Sequence, residues 1–118
     1  MPGVDNARLS GVLAPVTAEN CNSGVPQGAG GVEVRADLFD TREESLSLVS
    51  SLAGDFAVLV TPRHSSQGGA WRWSEQERAS YCKEAIERGA VLVDVEHGTE
   101  AAAILQGAGI KVLLSWHD

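Results

Sequence analysis

Short apolar segments of strand length alternate with helical segments along most of the chain, and no other sequence feature restricts the fold as much. The helical segments begin with residues typical of N-caps, which are Thr41 with Glu44, Ser74 with Glu77, and Thr99. Nearly continuous apolar strands that alternate with helices are typical of a parallel sheet covered by helices. The sequence therefore predicts an α/β fold with about five parallel strands and covering helices.

The predicted strands occupy residues 9–14, 32–38, 56–61, 90–96 and 110–115. The predicted helices lie between Thr41 and Gly54, between Ser74 and Gly89, and between Thr99 and Gly107. In the segment 15–31, which is rich in glycine, only a short helix from Thr17 is expected. Because the carboxyl ends of parallel strands meet at one edge of the sheet, we expect functional residues at that edge.

The charge balance limits the partners of the chain. Its 118 residues include 9 Lys+Arg and 16 Asp+Glu, a formal net charge of -7. Phosphate backbones and anionic membrane surfaces attract basic proteins, so neither a nucleic acid nor a membrane is expected as a partner. Cys21 and Cys82 lie far apart with no CxxC motif, and no signal peptide is expected. These features predict a single domain over residues 1–118, with free thiols, in the cytoplasm.

Polar residues cluster near the predicted carboxyl ends of the strands. Glu33, Arg35 and Asp37 alternate with Val32, Val34, Ala36 and Leu38, so strict alternation places the three charges on one face and the apolar residues on the other. The charges can form a structural ion pair, a polar floor for a hydroxylated or carboxylated ligand, or both.

Two more candidates follow the third predicted strand. Arg63 is either a solvated loop residue or a bidentate ligand of a carboxylate or hydroxyl group. The pair Gly68-Gly69 either allows close approach of a ligand to the backbone or only forms a turn.

The last two predicted strands carry acids and a histidine. Asp94 and Glu96 are two residues apart, so both carboxylates reach one cavity, where they can hold an arginine or orient a histidine. His117 follows the fifth strand and suits general acid–base chemistry near neutral pH. His64 and His97 are interpreted as surface loop residues.

Four motifs follow one another along the chain: GVEVRADLFD at 31–40, VLVTPRHSSQGG at 58–69, VLVDVEHG at 91–98 and VLLSWHD at 112–118. In this order they resemble the type I 3-dehydroquinate dehydratase family. That family has E-x-R-x-D on strand two, Arg followed by E-G-G after strand three, D-x-E on strand four and S-x-H-D on strand five. The resemblance covers residues 31–118 and about the first half of a family member, and the first thirty residues match poorly.

The resemblance implies that the chain is the N-terminal portion of a (β/α)8 TIM barrel that converts 3-dehydroquinate to 3-dehydroshikimate in the shikimate pathway. A lysine on strand six of the family forms a Schiff base with the substrate ketone. A histidine, matched here by His117, removes the C2 proton and later helps water to leave. Substrate-binding roles are implied for Glu33, Arg35 and Arg63, and supporting roles for Asp94, Glu96 and Gln67. No cofactor and no metal are expected.

The chain departs from the family pattern in two ways. The family glutamate before Gly-Gly is Gln67 here, and a neutral amide does not raise the pKa of a histidine as a carboxylate would. The lysines of the chain are Lys83 and Lys111, and neither is at strand six, so no Schiff-base lysine is expected in this chain. An unclosed sheet leaves strand edges open. We therefore expect the chain to be incomplete as an enzyme and to pair as a homodimer or with a complementing half-barrel.

Two other functions remain open. The chain can be a metal-dependent lyase or hydrolase that uses Glu33, Asp94, Glu96 and His117, although no HxH or HExxH spacing appears. It can also be a non-catalytic half-barrel that serves as an interaction module. Bound divalent metal in purified protein distinguishes the first, and failure to bind 3-dehydroquinate distinguishes the second.

Overall fold

A computed structural model describes residues 13–16 and 31–115, which form five strands, three α-helices and two 3₁₀ turns. The strands are β1 Leu13–Val16, β2 Gly31–Val34, β3 Val58–Val60, β4 Leu92–Glu96 and β5 Val112–Ser115. The helices are α1 Arg42–Ala53, α2 Glu75–Glu87 and α3 Glu100–Gly107. The 3₁₀ turns are Ala36–Leu38 and Ser65–Gln67.

The five strands form one sheet in which the spatial order follows the order along the chain. Every neighbouring pair is parallel, from β1 beside β2 to β4 beside β5. Helices α1 and α2 contact each other, as do α2 and α3, so the three helices cover the same side of the sheet. The predicted parallel α/β architecture is confirmed. Within the described residues, no helix is long and apolar enough to cross a membrane.

Hydroxyl side chains cap the three helices where the sequence predicted N-caps. The Thr41 hydroxyl accepts from the Glu44 amide at 3.2 Å, and the Ser74 hydroxyl accepts from the Glu77 amide at 3.1 Å. Thr99 does the same for the third helix. Because each cap satisfies a backbone N–H that has no partner inside the helix, each contributes about 1 kcal/mol to stability.

The core lies between the sheet and the helices. Fully buried valines on β2, β3 and β4 form its centre, and they are Val32, Val34, Val58, Val60, Val93 and Val95. The indole of Trp71 is buried beside them and packs edge-on against Trp73 and Tyr81, at ring-centroid distances of 4.8 and 5.4 Å. Both tryptophans therefore pack the loop after β3 onto the core.

The alternation over residues 32–38 does not continue as a strand to its end. Strand β2 ends at Val34, and residues Ala36–Leu38 form a 3₁₀ turn. Leu38 is 41% exposed whereas Val32, Val34 and Ala36 are buried, so the prediction that these four residues share one face is wrong for Leu38. A local ion pair between Arg35 and Asp37 accompanies the turn, and alternation of residue types cannot distinguish that arrangement from a continued strand.

The first strand extends further than predicted. It runs to Val16 and includes Pro15, which is compatible with an edge strand because proline has no N–H to donate to a neighbour. The predicted start of this strand at residue 9 and the helix expected from Thr17 lie outside the described residues. The other predicted strands are correct in type, and their observed bounds lie within the predicted ranges.

The Cys82 thiol is free, as expected, and it lies on the buried face of α2. Burial raises its pKa to about 12, so the thiol is neutral and unreactive at pH 7. Cys21 lies outside the described residues.

Candidate active site

The carboxyl ends of β2, β3 and β4 bring the predicted polar residues to one edge of the sheet. Glu33 lies on β2, Arg63 follows β3, and Asp94 lies on β4. Parallel pairing aligns these positions: Glu33 is opposite Leu59, and Asp94 is opposite Leu113. We call Glu33, Arg35, Asp37, Arg63, Asp94 and Glu96 together the acid–arginine site.

A buried hydroxyl on the neighbouring segment holds Glu33. The Thr61 hydroxyl donates to Oε2 of Glu33 at 2.8 Å, and Thr61 is completely buried. The backbone beside Thr61 is itself tied to β2, because its N–H donates to the Val34 carbonyl at 2.9 Å. The carboxylate of Glu33 is therefore oriented before any ligand arrives.

Asp37 anchors the first arginine and the loop after β3. Its carboxylate accepts two hydrogen bonds from Arg35, at 3.0 and 2.7 Å, in a bidentate pair. It also accepts the backbone N–H groups of Arg63 at 3.2 Å and Ala70 at 3.0 Å. The Asp37 side chain is fully buried. A structural ion pair at this position was one of the two open interpretations, and it is present.

The second arginine lies between the two acids of β4. An Arg63 nitrogen is 3.8 Å from Oδ2 of Asp94, and another is 3.4 Å from Oε2 of Glu96. The Arg63 side chain is only 15% exposed, so it is not a solvated loop residue. Both acids therefore lie against one guanidinium, in agreement with the expectation that they can hold an arginine.

A third arginine, which the sequence analysis did not select, lies behind these acids. Arg78 is on α2, is completely buried, and donates to Glu96 Oε1 at 2.5 Å. It also donates to the Pro62 carbonyl at 3.0 Å and to Glu75 at 2.9 Å. The available signal was an arginine among the apolar residues of the buried helix stripe, which includes Ala79 and Cys82.

The two acids of β4 have opposite electrostatic environments. Burial raises the pKa of Asp94, although the nearby Ser115 hydroxyl and the Arg63 guanidinium reduce that increase. Burial also acts to raise the pKa of Glu96, but hydrogen bonds from the His64 amide and Arg78 outweigh it and hold that pKa below its usual value. The anionic form of Glu96 is therefore favoured beside its arginines, whereas Asp94 accepts a proton more readily than an ordinary aspartate does.

The Ser115 hydroxyl on β5 interacts with the Asp94 carboxylate on the neighbouring strand and acts to lower its pKa. The contact is poorly aligned, because Oδ1 of Asp94 and the Ser115 hydroxyl oxygen are both buried and neither makes a hydrogen bond of normal geometry within residues 31–115.

The Gly68-Gly69 pair forms a turn in which the backbone approaches Arg63. Gly68 has a φ of 83°, in the left-handed region that glycine adopts without strain. A Cβ on Gly69 would overlap the Arg63 carbonyl group. Of the two interpretations left open, the described contacts support the turn, because the close approach is to Arg63 itself.

This contact predicts that Gly69→Ala lowers the free energy of unfolding by about 1–3 kcal/mol, because the added methyl group forces the Arg63 backbone to move. The matched control is Gly54→Ala, where the Cβ meets no atom within 4 Å and φ is -71°. That control is expected to be neutral or to add about 0.4–1 kcal/mol. Urea denaturation of both variants measures the difference, and equal stabilities would show that the turn is not tightly packed.

The remaining residues considered in the sequence are Gln67 and the three histidines. Gln67 ends the turn Ser65–Gln67 and is half-buried. The His64 ring accepts the Ser66 amide at 3.0 Å and so caps that turn, and His97 is exposed. His117 lies outside the described residues.

The metal-dependent alternative gains no support from the described part of the site. No group of three His, Cys, Asp or Glu residues in residues 31–115 is arranged to hold a metal ion. Two of the three acids that this alternative needs are instead paired with guanidinium groups: Asp94 with Arg63, and Glu96 with Arg63 and Arg78. Arginine cations at these carboxylates oppose the binding of a second cation.

Together, the fold and the site define a parallel α/β protein with fixed arginines and acids at the carboxyl edge of its sheet, suited to a polar, anionic small molecule. A family model described as Type I 3-dehydroquinase matches residues 16–118. The chain belongs to the type I 3-dehydroquinase family.

Curated relatives agree with this assignment. The chain is similar to a 3-dehydroquinate dehydratase of Methanococcus vannielii, with 32% identity over 97 residues, covering 74% of this chain and 41% of the relative. It is also similar to one of Methanocaldococcus jannaschii, with 26% identity over 117 residues, covering 91% of this chain and 53% of the relative. A third, from Desulfotalea psychrophila, is 32% identical over 97 residues, covering 77% and 42%. The chain spans about half the length of the curated relatives it matches.

Proposed function

We propose that residues 1–118 form the N-terminal portion of a (β/α)8 barrel that dehydrates 3-dehydroquinate to 3-dehydroshikimate. The strand order supports a barrel, because the five strands follow one another without the reversal that is typical of doubly wound sheets. The family assignment supports the reaction. In this proposal the rest of the barrel comes from a further polypeptide segment. The expected cytoplasmic location and homodimer remain predictions.

One observation supports the proposal most strongly. At the carboxyl edge of the sheet, buried groups hold two arginines and one glutamate in fixed positions. Asp37 fixes Arg35, the β4 acids fix Arg63, and Thr61 fixes Glu33. The substrate is a ring that carries a carboxylate, hydroxyl groups and a ketone. We assign Arg35 and Arg63 to its carboxylate and hydroxyl region, and Glu33 to its hydroxyls. Preorganised donors bind such groups without paying further ordering entropy.

The proposed chemistry needs one lysine and one base. A lysine amine attacks the substrate ketone, water leaves, and the resulting iminium withdraws electrons from C2. His117 takes the C2 proton, and the electron pair moves to form an enamine. The enamine then expels the C1 hydroxyl, which leaves as water with the proton from His117, and hydrolysis releases 3-dehydroshikimate. Asp94 and Glu96 keep Arg63 in place, and Gln67 lies where the family has a glutamate.

Neither lysine of this chain lies at the acid–arginine site. Lys83 is exposed on α2, and Lys111 is exposed just before β5, at the amino end of the strand. We therefore expect that borohydride reduction of the 118-residue chain with 3-dehydroquinate traps no adduct. Intact-mass spectrometry checks this prediction. A mass increase of one reduced substrate on Lys83 or Lys111 would contradict it.

The proposed function is tested by supplying the missing strands. The chain is mixed or fused with the C-terminal part of the Methanocaldococcus jannaschii 3-dehydroquinate dehydratase, and the absorbance of the conjugated product is followed. The expected result is activity in the complex and none in either part alone. The N-terminal part of the same relative, with the same complement, is the positive control. If that control is active and this chain is not, the proposed function is wrong.

A further inference from the structure

One charged side chain of helix α2, that of Arg78, lies in the protein interior. The Arg78 guanidinium has no exposed surface, although its helix is otherwise amphipathic. A buried guanidinium is unfavourable unless several acceptors surround it. Here the acceptors are Glu96 at 2.5 Å, the Pro62 carbonyl at 3.0 Å and Glu75 at 2.9 Å.

Two of these three acceptors are directly connected to Arg63. Pro62 precedes Arg63 in the chain, so its carbonyl belongs to the peptide group that leads into Arg63. Glu96 receives Arg78 through Oε1 and lies against Arg63 through Oε2. The backbone N–H of Arg63 is held from the other side by Asp37. Arg78 therefore contacts both the peptide group that leads into Arg63 and the carboxylate beside the Arg63 side chain.

We propose that Arg78 is a positioning residue for Arg63. It holds Glu96 and the Pro62 carbonyl, and these two groups place the Arg63 guanidinium in the acid–arginine site. Arg78 is outside the four motifs of the family resemblance. Arginine suits this role because its planar fork of five N–H donors serves several acceptors at once. A lysine at the same place offers one compact charge and cannot reach all three acceptors. The role of Arg63 as a substrate ligand rests on the proposed function, but its positioning by Arg78 does not.

The test uses the 118-residue chain and the variant Arg78→Lys, which keeps the charge and removes the fork. NMR of the Arg63 Nε–H group measures its exchange with solvent. We expect this exchange to become at least about tenfold faster. Glu96 Oε2 lies 3.4 Å from Arg63 Nε, and Arg78→Lys removes the guanidinium that holds the other oxygen of Glu96. The matched control is Arg88→Lys on the same helix, since Arg88 pairs with Glu43 and Glu84 far from the site. It should leave Arg63 exchange unchanged.

A second variant covers the case in which Arg78→Lys does not fold. Glu96→Gln keeps the shape of the side chain and weakens the same connection, so it should accelerate Arg63 exchange similarly. Unchanged exchange in a folded Arg78→Lys or Glu96→Gln chain would show that Arg78 only stabilises the fold. An equal increase in Arg88→Lys would show a general loosening, and would also overturn the proposal.

The complex of this chain with the C-terminal part of the Methanocaldococcus jannaschii relative, here called the complemented enzyme, gives a second readout. Loss of stability alone would not produce the change expected in it. Arg78→Lys should raise KM for 3-dehydroquinate more than it lowers kcat, because a displaced Arg63 weakens binding in the ground state and the transition state alike. A fall in kcat with KM unchanged would contradict the positioning role. If the complemented wild-type enzyme is inactive, the proposed function fails, and the exchange measurement still decides the role of Arg78.

Discussion

Replacing His117 with alanine is expected to reduce turnover by the complemented enzyme by about 10²–10⁴-fold, the usual contribution of a general acid–base residue. The reaction removes a C2 proton and later protonates a leaving hydroxyl, and an imidazole is suited to both steps near neutral pH. Formation of the Schiff base needs the lysine amine rather than this histidine. Borohydride should therefore still trap the substrate on the complementing lysine in His117→Ala.

The matched control is His97→Ala. His97 lies just after β4 and is exposed, and it belongs to no part of the acid–arginine site. Its removal should leave kcat within about twofold of the unchanged enzyme, as is usual for surface substitutions. Equal losses in the two variants would show that the histidine assignment is wrong. Full activity in His117→Ala would reject the proposed mechanism for this chain.

Replacing Asp37 with alanine is expected to lower the free energy of unfolding by about 3–5 kcal/mol, because it breaks a buried ion pair. The Asp37 carboxylate receives two bonds from Arg35 and one each from the Arg63 and Ala70 amides. Its removal leaves a guanidinium and two backbone donors without their acceptor. Since the total stability of a domain is only about 5–15 kcal/mol, this single loss is large.

Urea denaturation followed by circular dichroism measures the effect of Asp37→Ala. Asp40→Ala is the control, because Asp40 is a nearby exposed aspartate. The control should change the free energy of unfolding by no more than about 0.5 kcal/mol. A loss of less than about 1 kcal/mol for Asp37→Ala would mean that water readily replaces the carboxylate, and that Asp37 does not anchor the loop.

The order and type of the elements could be predicted because local signals agree with the fold. Apolar segments of strand length lie between capped helices, and the caps at Thr41, Ser74 and Thr99 are all present. The start of a helix depends on contacts within its first turn, so the residue types of that turn indicate it directly. The predicted ends of the strands were less accurate, because pairing with neighbouring strands determines where a strand ends.

The convergence of Glu33, Arg63 and Asp94 was also predictable, because parallel strands align their carboxyl ends. The long-range partners of Asp37 and Arg78 were not. The pairing of Asp37 with Arg35 was one of the interpretations of three charges on a strand face, but two of the four bonds to Asp37 come from a loop more than twenty residues away. The place of Arg78 in the buried helix stripe is visible in the sequence, but its acceptors, Glu96 and the Pro62 carbonyl, are not. Long-range partners of this kind have no local sequence signal.

Under the proposed function, this chain supplies the arginines that bind the substrate. KM for 3-dehydroquinate in the complemented enzyme with Arg63→Ala measures that binding. Loss of a charged hydrogen bond predicts a KM about 10- to 100-fold higher. Arg72→Ala, an exposed arginine of the same loop that stacks on Trp73, should leave KM unchanged. An unchanged KM in a folded Arg63→Ala enzyme would contradict the claim that the acid–arginine site binds the substrate.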